Sequence, residues 1–380
     1  LKESKKKSFS FKKLIFLFLF LFPLILIYFP NLTFHILMLI EFFTPFSFKL
    51  FTSPLIISYH NYLISKLPDI PETPALELKL TELTKESLKI ASKDYTFPVV
   101  IRGALNDLPA IKKWNNITWW LENYGDEQVL CKYVVKNGDA PACTVKDAIN
   151  FDNPNERLYI SGEARIFQKN KDLEAMVSSK FIDSVAPGNP VFTQLFLGYG
   201  NMGSDVHAAI GCNMFRQIVG KKKWWLIPVD QTAYVFPSLN PNGFSAHTLT
   251  KIGKGSETPS PWLSKIQRYT VTLNPGDVLL NPPWFWHGIK NIAEGDNDLV
   301  IGVPTRYATS EFTKMPAFRS NFILSVIGLG SIAYTYGFDK FLSSADSFQK
   351  GIERARASRG DLVAKEEAEL KKKEEMENAM

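Results

Sequence analysis

Hydrophobic and polar positions change their pattern three times along the chain. From Leu14 to Ile40 there is no Asp, Glu, Lys or Arg, and "LIFLFLFLFPLILIYF" is almost wholly aliphatic and phenylalanine. A helix needs about 20 such residues to cross the hydrocarbon core of a bilayer. Residues 14–40 therefore predict an N-terminal transmembrane helix. The stretch is longer than the roughly 7–15-residue apolar part of a secretory signal, and no small-residue cleavage site follows it. Residues 41–67 stay apolar and aromatic, a membrane-proximal segment, until "PDIPETP" punctuates the chain and sets the start of a folded domain, 68–310.

Within that domain "FPVVIRG" reads as a strand, and "PAIKKWNNITWWLENYGDEQVLCKYV" as a helix followed by a strand. Then come "ERLYISG", "VFTQLFLGYG", "NMFRQIVG", "KWWLIPV", "RYTVTL", "DVLLNPP" and "DLVIGVPTRY", each short, β-branched or aromatic, and bounded by Gly, Pro or Asn. This alternation predicts an all-β core, a double-sheet barrel or sandwich, with flanking helices. "LNPGDV" has Pro and Gly at the centre of a type II turn, which aims "VLLNPPWFWH" back across a sheet. A second uncharged stretch, Phe322 to Phe338 within 320–340, is shorter and carries three glycines. Its length suits a second span, an interfacial helix or a buried helix. Residues 350–380 alternate blocks of acid and base and read as a solvated helical tail.

Composition narrows the class. With 45% hydrophobic and 22% charged residues in 380, the chain can bury a full core and is not a disordered tail. Much of the net charge of +6 comes from six lysines among residues 1–13, so the body has no basic face and no nucleic-acid partner is expected. Lysines ahead of a span stay in the cytoplasm, which puts the rest of the chain in a lumen or outside the cell. On that topology Asn116-Ile117-Thr118 is a glycosylation acceptor. Cys131, Cys143 and Cys212 are too few for a disulfide framework; one pair could bridge in a lumen, and nothing in the sequence selects it.

Of five histidines, His207 and His287 fall in the barrel-like region. Counting by two from His207 gives Ala209, Gly211, Asn213, Phe215 and Gln217, which an uninterrupted strand would turn to one face. His, Asn and Gln on one face suggest a wet pocket. His287 follows "NPPWFW", a rigid aromatic shield. On residue type alone, two histidines suit hydrogen-bonded core positions as well as metal ligands.

Three fragments in order, "FPVVIRGALNDLPAIKKW", "FLGYGNMGSDVHAAIGCNMFRQIVGKKKWWLIP" and "LNPGDVLLNPPWFWHGIKN", resemble the JmjC or cupin-like family of double-stranded β-helix (jelly-roll) proteins. These are in the main Fe(II)- and 2-oxoglutarate-dependent oxygenases. The likeness covers Phe97 to Tyr307. It implies Fe(II) and 2-oxoglutarate as cofactors and a triad of an H-x-D or H-x-E pair with a distant histidine. His207 and His287 match the two histidines, and Ala209 stands where the carboxylate would be. The resemblance also puts Lys222 at the far carboxylate of 2-oxoglutarate and Ser204 and Asn213 at cosubstrate-side positions. No catalytic group beyond the metal ligands is implied.

The alanine removes a hard anionic donor and the geometry it imposes. Four readings follow: a hydroxylase-type oxygenase whose open position is filled by water or a second protein group, an iron halogenase, a different metal on two histidines and another residue, or a non-catalytic binding module. Asp205 and Cys212 are the nearest other donors in sequence. A membrane-tethered lumenal domain favours a secretory-pathway protein or a small molecule near the membrane surface over a nuclear histone as substrate.

Overall fold

The computed structural model describes residues 26–43, 53–133, 138–139, 143–150, 157–239, 245–248, 261–293, 298–308 and 322–328. Two sheets dominate. The first has seven strands in the order β1 (Thr73–Pro74), β16 (Tyr269–Leu273), β13 (Lys221–Ile227), β18 (Trp286–Ile292), β11 (Gly203–Ala209), β15 (Ser245–Thr248) and β14 (Pro237–Leu239). The second has ten: β2 (Leu76–Leu78), β3 (Val99–Ile101), β17 (Val278–Asn281), β12 (Cys212–Val219), β19 (Val300–Ala308), β10 (Leu195–Gly198), β8 (Leu158–Glu163), β5 (Cys131–Tyr133) and β6 (Gly138–Asp139), with β9 (Asn189–Thr193) also on β19. A small pair, β4 (Gln128–Val129) and β7 (Cys143–Thr144), stands apart. This is the sheet-rich jelly-roll core with flanking helices that the short-strand pattern predicts.

Strand alternation decides which side chains meet inside. Phe215 and Leu279 of the second sheet pack with Trp224, Leu226, Val271, Leu273 and Ile289 of the first, so these fill the space between the sheets. The intervening residues Val206, Ala208, Trp225, Ile227, Ala246 and Trp286 form a separate cluster on the outer face of the first sheet. Helices Lys85–Ala91, Ile117–Tyr124 and Val145–Ile149 contribute Leu88, Trp120, Val145 and other residues to the core behind the second sheet, with Met214 and Val303.

The turn at Asn274–Asp277 forms as its sequence dictates. Asp277 N–H bonds Asn274 O at 3.0 Å, and Gly276 takes φ +93°, where a Cβ would meet Asn106 Oδ1. The Asp277 carboxylate caps the same corner through Gly103 N–H, Asn274 N–H and Arg102.

One sequence expectation is corrected. The residues counted by two from His207 do not lie on one strand. β11 ends at Ala209 in the first sheet, and β12 begins at Cys212 in the second, because the chain turns at Ile210 and Gly211. The expected N-terminal transmembrane helix lies only in part within the described residues. No helix among the described residues is long and apolar enough to cross a membrane. The second part of the 14–40 stretch enters a helix of 14 residues, Pro30–Phe43, about 21 Å long at ~1.5 Å per residue, short of a ~30 Å core. Residues 14–25 lie outside the described residues.

The Pro30–Phe43 helix buries Phe34 and Met38 in the outer cluster, and Asn31 Oδ1 accepts from Ala233 N–H at 2.8 Å. Helix Pro54–Ser65, capped by Ser53, adds Leu63 to the same cluster and packs His60 on Phe236. A short helix over 322–328 adds Leu324 and Ile327, and Ser325 Oγ accepts from Trp284 Nε1. The remainder of 320–340 and the whole of 350–380 lie outside the described residues. One disulfide, Cys131–Cys143, supplies the pairing that the sequence left open, and Cys212 is a buried free thiol.

Candidate metal centre

Because β11 pairs with β18 and β15, three histidines fall in one cross-strand row. His207 is the register partner of His287 on one side and of His247 on the other. Directly opposed residues of antiparallel strands share a face. Val206, Ala208, Ala246 and Trp286 point outward, so the three imidazoles point into the barrel. The ring centroids of His207 and His287 are 4.2 Å apart, and those of His207 and His247 are 5.7 Å apart. Sequence reasoning missed His247: its strand, "SAHT", is four residues long and carries no hydrophobic signal of its own.

His207 and His287 are oriented alike. His207 Nδ1 lies 2.8 Å from Asp205 O, and His287 Nδ1 lies 2.8 Å from Phe285 O. A carbonyl only accepts, so each Nδ1 carries the proton and each Nε2 presents a lone pair. This carbonyl clamp is the outer-shell arrangement that fixes metal-binding imidazoles. Burial pushes the His207 pKa down to about 4, although the residue is only half-buried, with the Asp205 carbonyl opposing and Lys132 and Arg306 adding to the shift. Burial, then the neighbouring His207, holds His287 well below the ordinary value. Both rings are thus neutral, the form that binds a metal. Trp224 covers His287 at 5.5 Å between centroids.

Among the described residues no carboxylate joins them. Ala209 faces Ser245 across β11 and β15, and its methyl group has no donor. Among the described residues no three His, Cys, Asp or Glu side chains are already gathered around one point. Burial raises the Cys212 thiol to about 12, so it stays protonated and is a poor ligand. Two imidazoles on one ion with bonds of ~2.0–2.1 Å, and about 1.1 Å from nitrogen to ring centre, have centroids ~4.5 Å apart at a right angle. The observed 4.2 Å suits such a pair. The residues present fit an ion held by imidazole nitrogen.

Lys222 is the register partner of Asn291, on the same inward face as His287 and four residues along β18, about 13 Å at ~3.3 Å per residue. Its side chain is 1% exposed, its Nζ donates to Asn291 Oδ1 at 2.8 Å, and Tyr159 and Phe215 lie within 6 Å. Asn291 in turn donates to Tyr199 O. Burial lowers the Lys222 pKa to about 7. Lys221 and Lys223 are partly exposed. Asn213 faces Asn281 across β12 and β17, and the Oδ1 of each is buried without a hydrogen-bond donor. Asn281 Nδ2 lies 3.3 and 3.4 Å from the two ring nitrogens of His287; with Nδ1 protonated, only Nε2 can accept from it, through a long bond. Arg306, across from Asn213, is a second inward cation, lowered to about 10 by burial with Cys212 opposing. Ser204 sits beside the irregularity in the β11–β18 pairing, opposite Ile289 and three residues from His207.

A profile of the cupin-like domain matches residues 149–303, a range that holds His207, His247, His287 and Lys222. Human HSPB1-associated protein 1 is 31% identical over 130 residues, which cover 33% of this chain and 26% of that protein. Its homolog in Danio rerio is 35% identical over 83 residues, 22% of this chain and 18% of that protein. The Bos taurus protein is 32% identical over 83 residues, 22% and 17%. The match thus spans about a quarter or less of each relative's own length. The two-sheet core and the profile agree on a cupin-like domain over residues 149–303.

Proposed function

We propose that this chain is an Fe(II)- and 2-oxoglutarate-dependent oxygenase of the hydroxylase type, tethered to a membrane and working without the carboxylate ligand. The observation that carries the reading is the matched carbonyl clamp on His207 and His287, which fixes two neutral imidazoles with their Nε2 lone pairs inside the barrel, that of His287 met only by a long contact from Asn281. A merely structural histidine pair has no need of identical tautomers on adjacent strands.

When bound, Fe(II) and 2-oxoglutarate supply the oxidising chemistry. The chain's own residues supply position and exclusion of water. His207 and His287 hold the ion. Lys222 takes the far carboxylate of 2-oxoglutarate, because a buried ammonium whose partner is the neutral Asn291 gains most from an anion. Asn213 and Asn281 offer carboxamide groups on the facing sheet, and Ser204 lies on the same strand as His207. Phe215, Trp224 and Leu226 keep bulk water from the centre.

The Cys131–Cys143 disulfide supports an oxidising compartment, and so a lumenal or extracellular domain behind the lysine-rich N-terminus. Asn116 fits glycosylation: its Oδ1 caps helix Ile117–Tyr124 through Trp119 N–H while the residue stays exposed. The relatives are named for association with a protein, HSPB1, which favours a protein as substrate or partner here too.

The test is 2-oxoglutarate-dependent succinate release by Fe(II)-loaded protein, with and without chloride. Turnover that vanishes in His207→Ala and falls in Lys222→Ala supports the reading. Binding of 2-oxoglutarate with no turnover indicates a binding module, and turnover that requires chloride indicates a halogenase.

A further inference from the structure

The absent carboxylate leaves the question of what completes the centre, and the strand register supplies a candidate on the other side of His207 from His287. We propose that His247 is the third metal ligand, so that a three-imidazole row replaces the two-histidine, one-carboxylate set. The inference rests on the metal-binding reading of His207 and His287.

Three observations carry it. First, His247, His207 and His287 are directly opposed on β15, β11 and β18, so all three rings leave the sheet on one face without any change of backbone. Second, the spacing is within reach. Two imidazoles on one ion can have ring centres up to about 6.4 Å apart, twice the ~3.2 Å from ion to ring centre. The His207–His247 separation is 5.7 Å, with ring planes 18° apart. As placed, the three rings form no group that could hold an ion, and the His247 ring, stacked on His207, must swing out of that stack about its side-chain torsions to reach a shared ion. Third, the competing donors are weaker. Ala209 has none, the Cys212 thiol is held protonated, and Asp205 lies within the irregular register of β11, where it is no cross-strand partner of the histidine row and its backbone carbonyl holds His207.

The change of ligand alters the charge. A dication on three neutral imidazoles keeps its full +2, where a carboxylate would leave +1. Such a centre favours an anionic ligand, in keeping with two inward cations, Lys222 and Arg306, rather than acids on the surrounding strands.

The test is Co(II) titration of the folded domain, read by its visible absorption, for wild type, His207→Ala, His247→Ala and the double variant Ala209→Asp/His247→Ala. Loss of an outer-shell partner costs ~10–100-fold in metal affinity. We expect His247→Ala to exceed that, weakening Co(II) by more than about 100-fold, and Ala209→Asp to restore most of the loss. Pulsed EPR on Cu(II)-loaded wild type, which counts coupled imidazoles without any substitution, should report three. Affinity in His247→Ala equal to wild type, or a count of two, overturns the proposal while leaving His207 and His287 as ligands. Wild type that binds neither Co(II) nor Cu(II) overturns the metal-binding reading itself, and this proposal with it.

Discussion

Lys222 and Asn291 face each other across β13 and β18, and the bond between Nζ and Oδ1 is 2.8 Å. The ammonium is almost fully buried and its partner is neutral. Folding therefore moves its pKa from 10.5 to about 7 through burial. In the window between those values the unfolded chain binds more protons, so stability rises with pH from about 7 to 10.5. The cost is fully present below pH 7 and absent above 10.5. At about 1.4 kcal/mol per pKa unit it is on the order of 5 kcal/mol. Lys222→Met should stabilise the protein at pH 7 by about 2–4 kcal/mol, after ~1–2 kcal/mol for the lost Asn291 partner. The gain should disappear near pH 10.5. Urea unfolding of both proteins at several pH values checks this, and a pH-independent difference would contradict it. The same variant should lose 2-oxoglutarate binding.

Arg216 is fully enclosed on the outer side of the second sheet, where its guanidinium meets Asp183 at 2.9 Å, Tyr307 at 3.0 Å and Thr305. Removing the carboxylate strands a buried charge. Asp183→Ala should destabilise by about 2–4 kcal/mol, toward the low end for broken buried pairs because Asp183 keeps some contact with solvent. Asp183→Ala combined with Arg216→Met should be more stable than Asp183→Ala alone. Chemical denaturation of the two variants decides it.

The histidine centre was half legible in the sequence. His207, His287 and Lys222 each sit in a fragment that carries the family resemblance, "SDVHAA", "NPPWFWH" and "GKKKWW", so the resemblance singles them out. Their inward direction emerges only in the structure, from alternation with the outward tryptophans Trp225 and Trp286. What could not be read was register. His247 lies 40 residues from His207 in sequence and meets it only through the β11–β15 pairing. The break between β11 and β12 depends on a turn at Ile210 and Gly211 that leaves the count by two unmarked. The partner of Cys131 was likewise a matter of which strands come together, not of spacing.

Gly276 takes φ +93°, and any Cβ there would lie 2.0 Å from Asn106 Oδ1. Gly276→Ala therefore combines backbone strain with a clash at the corner that feeds β17, and should lower stability by at least about 2 kcal/mol. A thermal melt that moves by less than a degree would show that the corner gives way freely.

Asn116 tests the topology. Expressed with its N-terminal segment in eukaryotic cells, the protein should run faster on a gel after treatment with an endoglycosidase. Asn116→Gln should abolish that shift while costing only about 1 kcal/mol for the helix cap. An unmodified Asn116, with Cys131 and Cys143 both reactive to a thiol reagent in the cell, would place the domain in a reducing compartment instead.

The central claim is that the Nε2 atoms of His207 and His287 share one ion. The most direct measurement is the iron retained by anaerobically Fe(II)-loaded, desalted protein, compared between wild type and His207→Ala/His287→Ala at matched folded content. The account predicts a single iron per wild-type chain and none in the variant. Equal iron in both, or none in either, would contradict it.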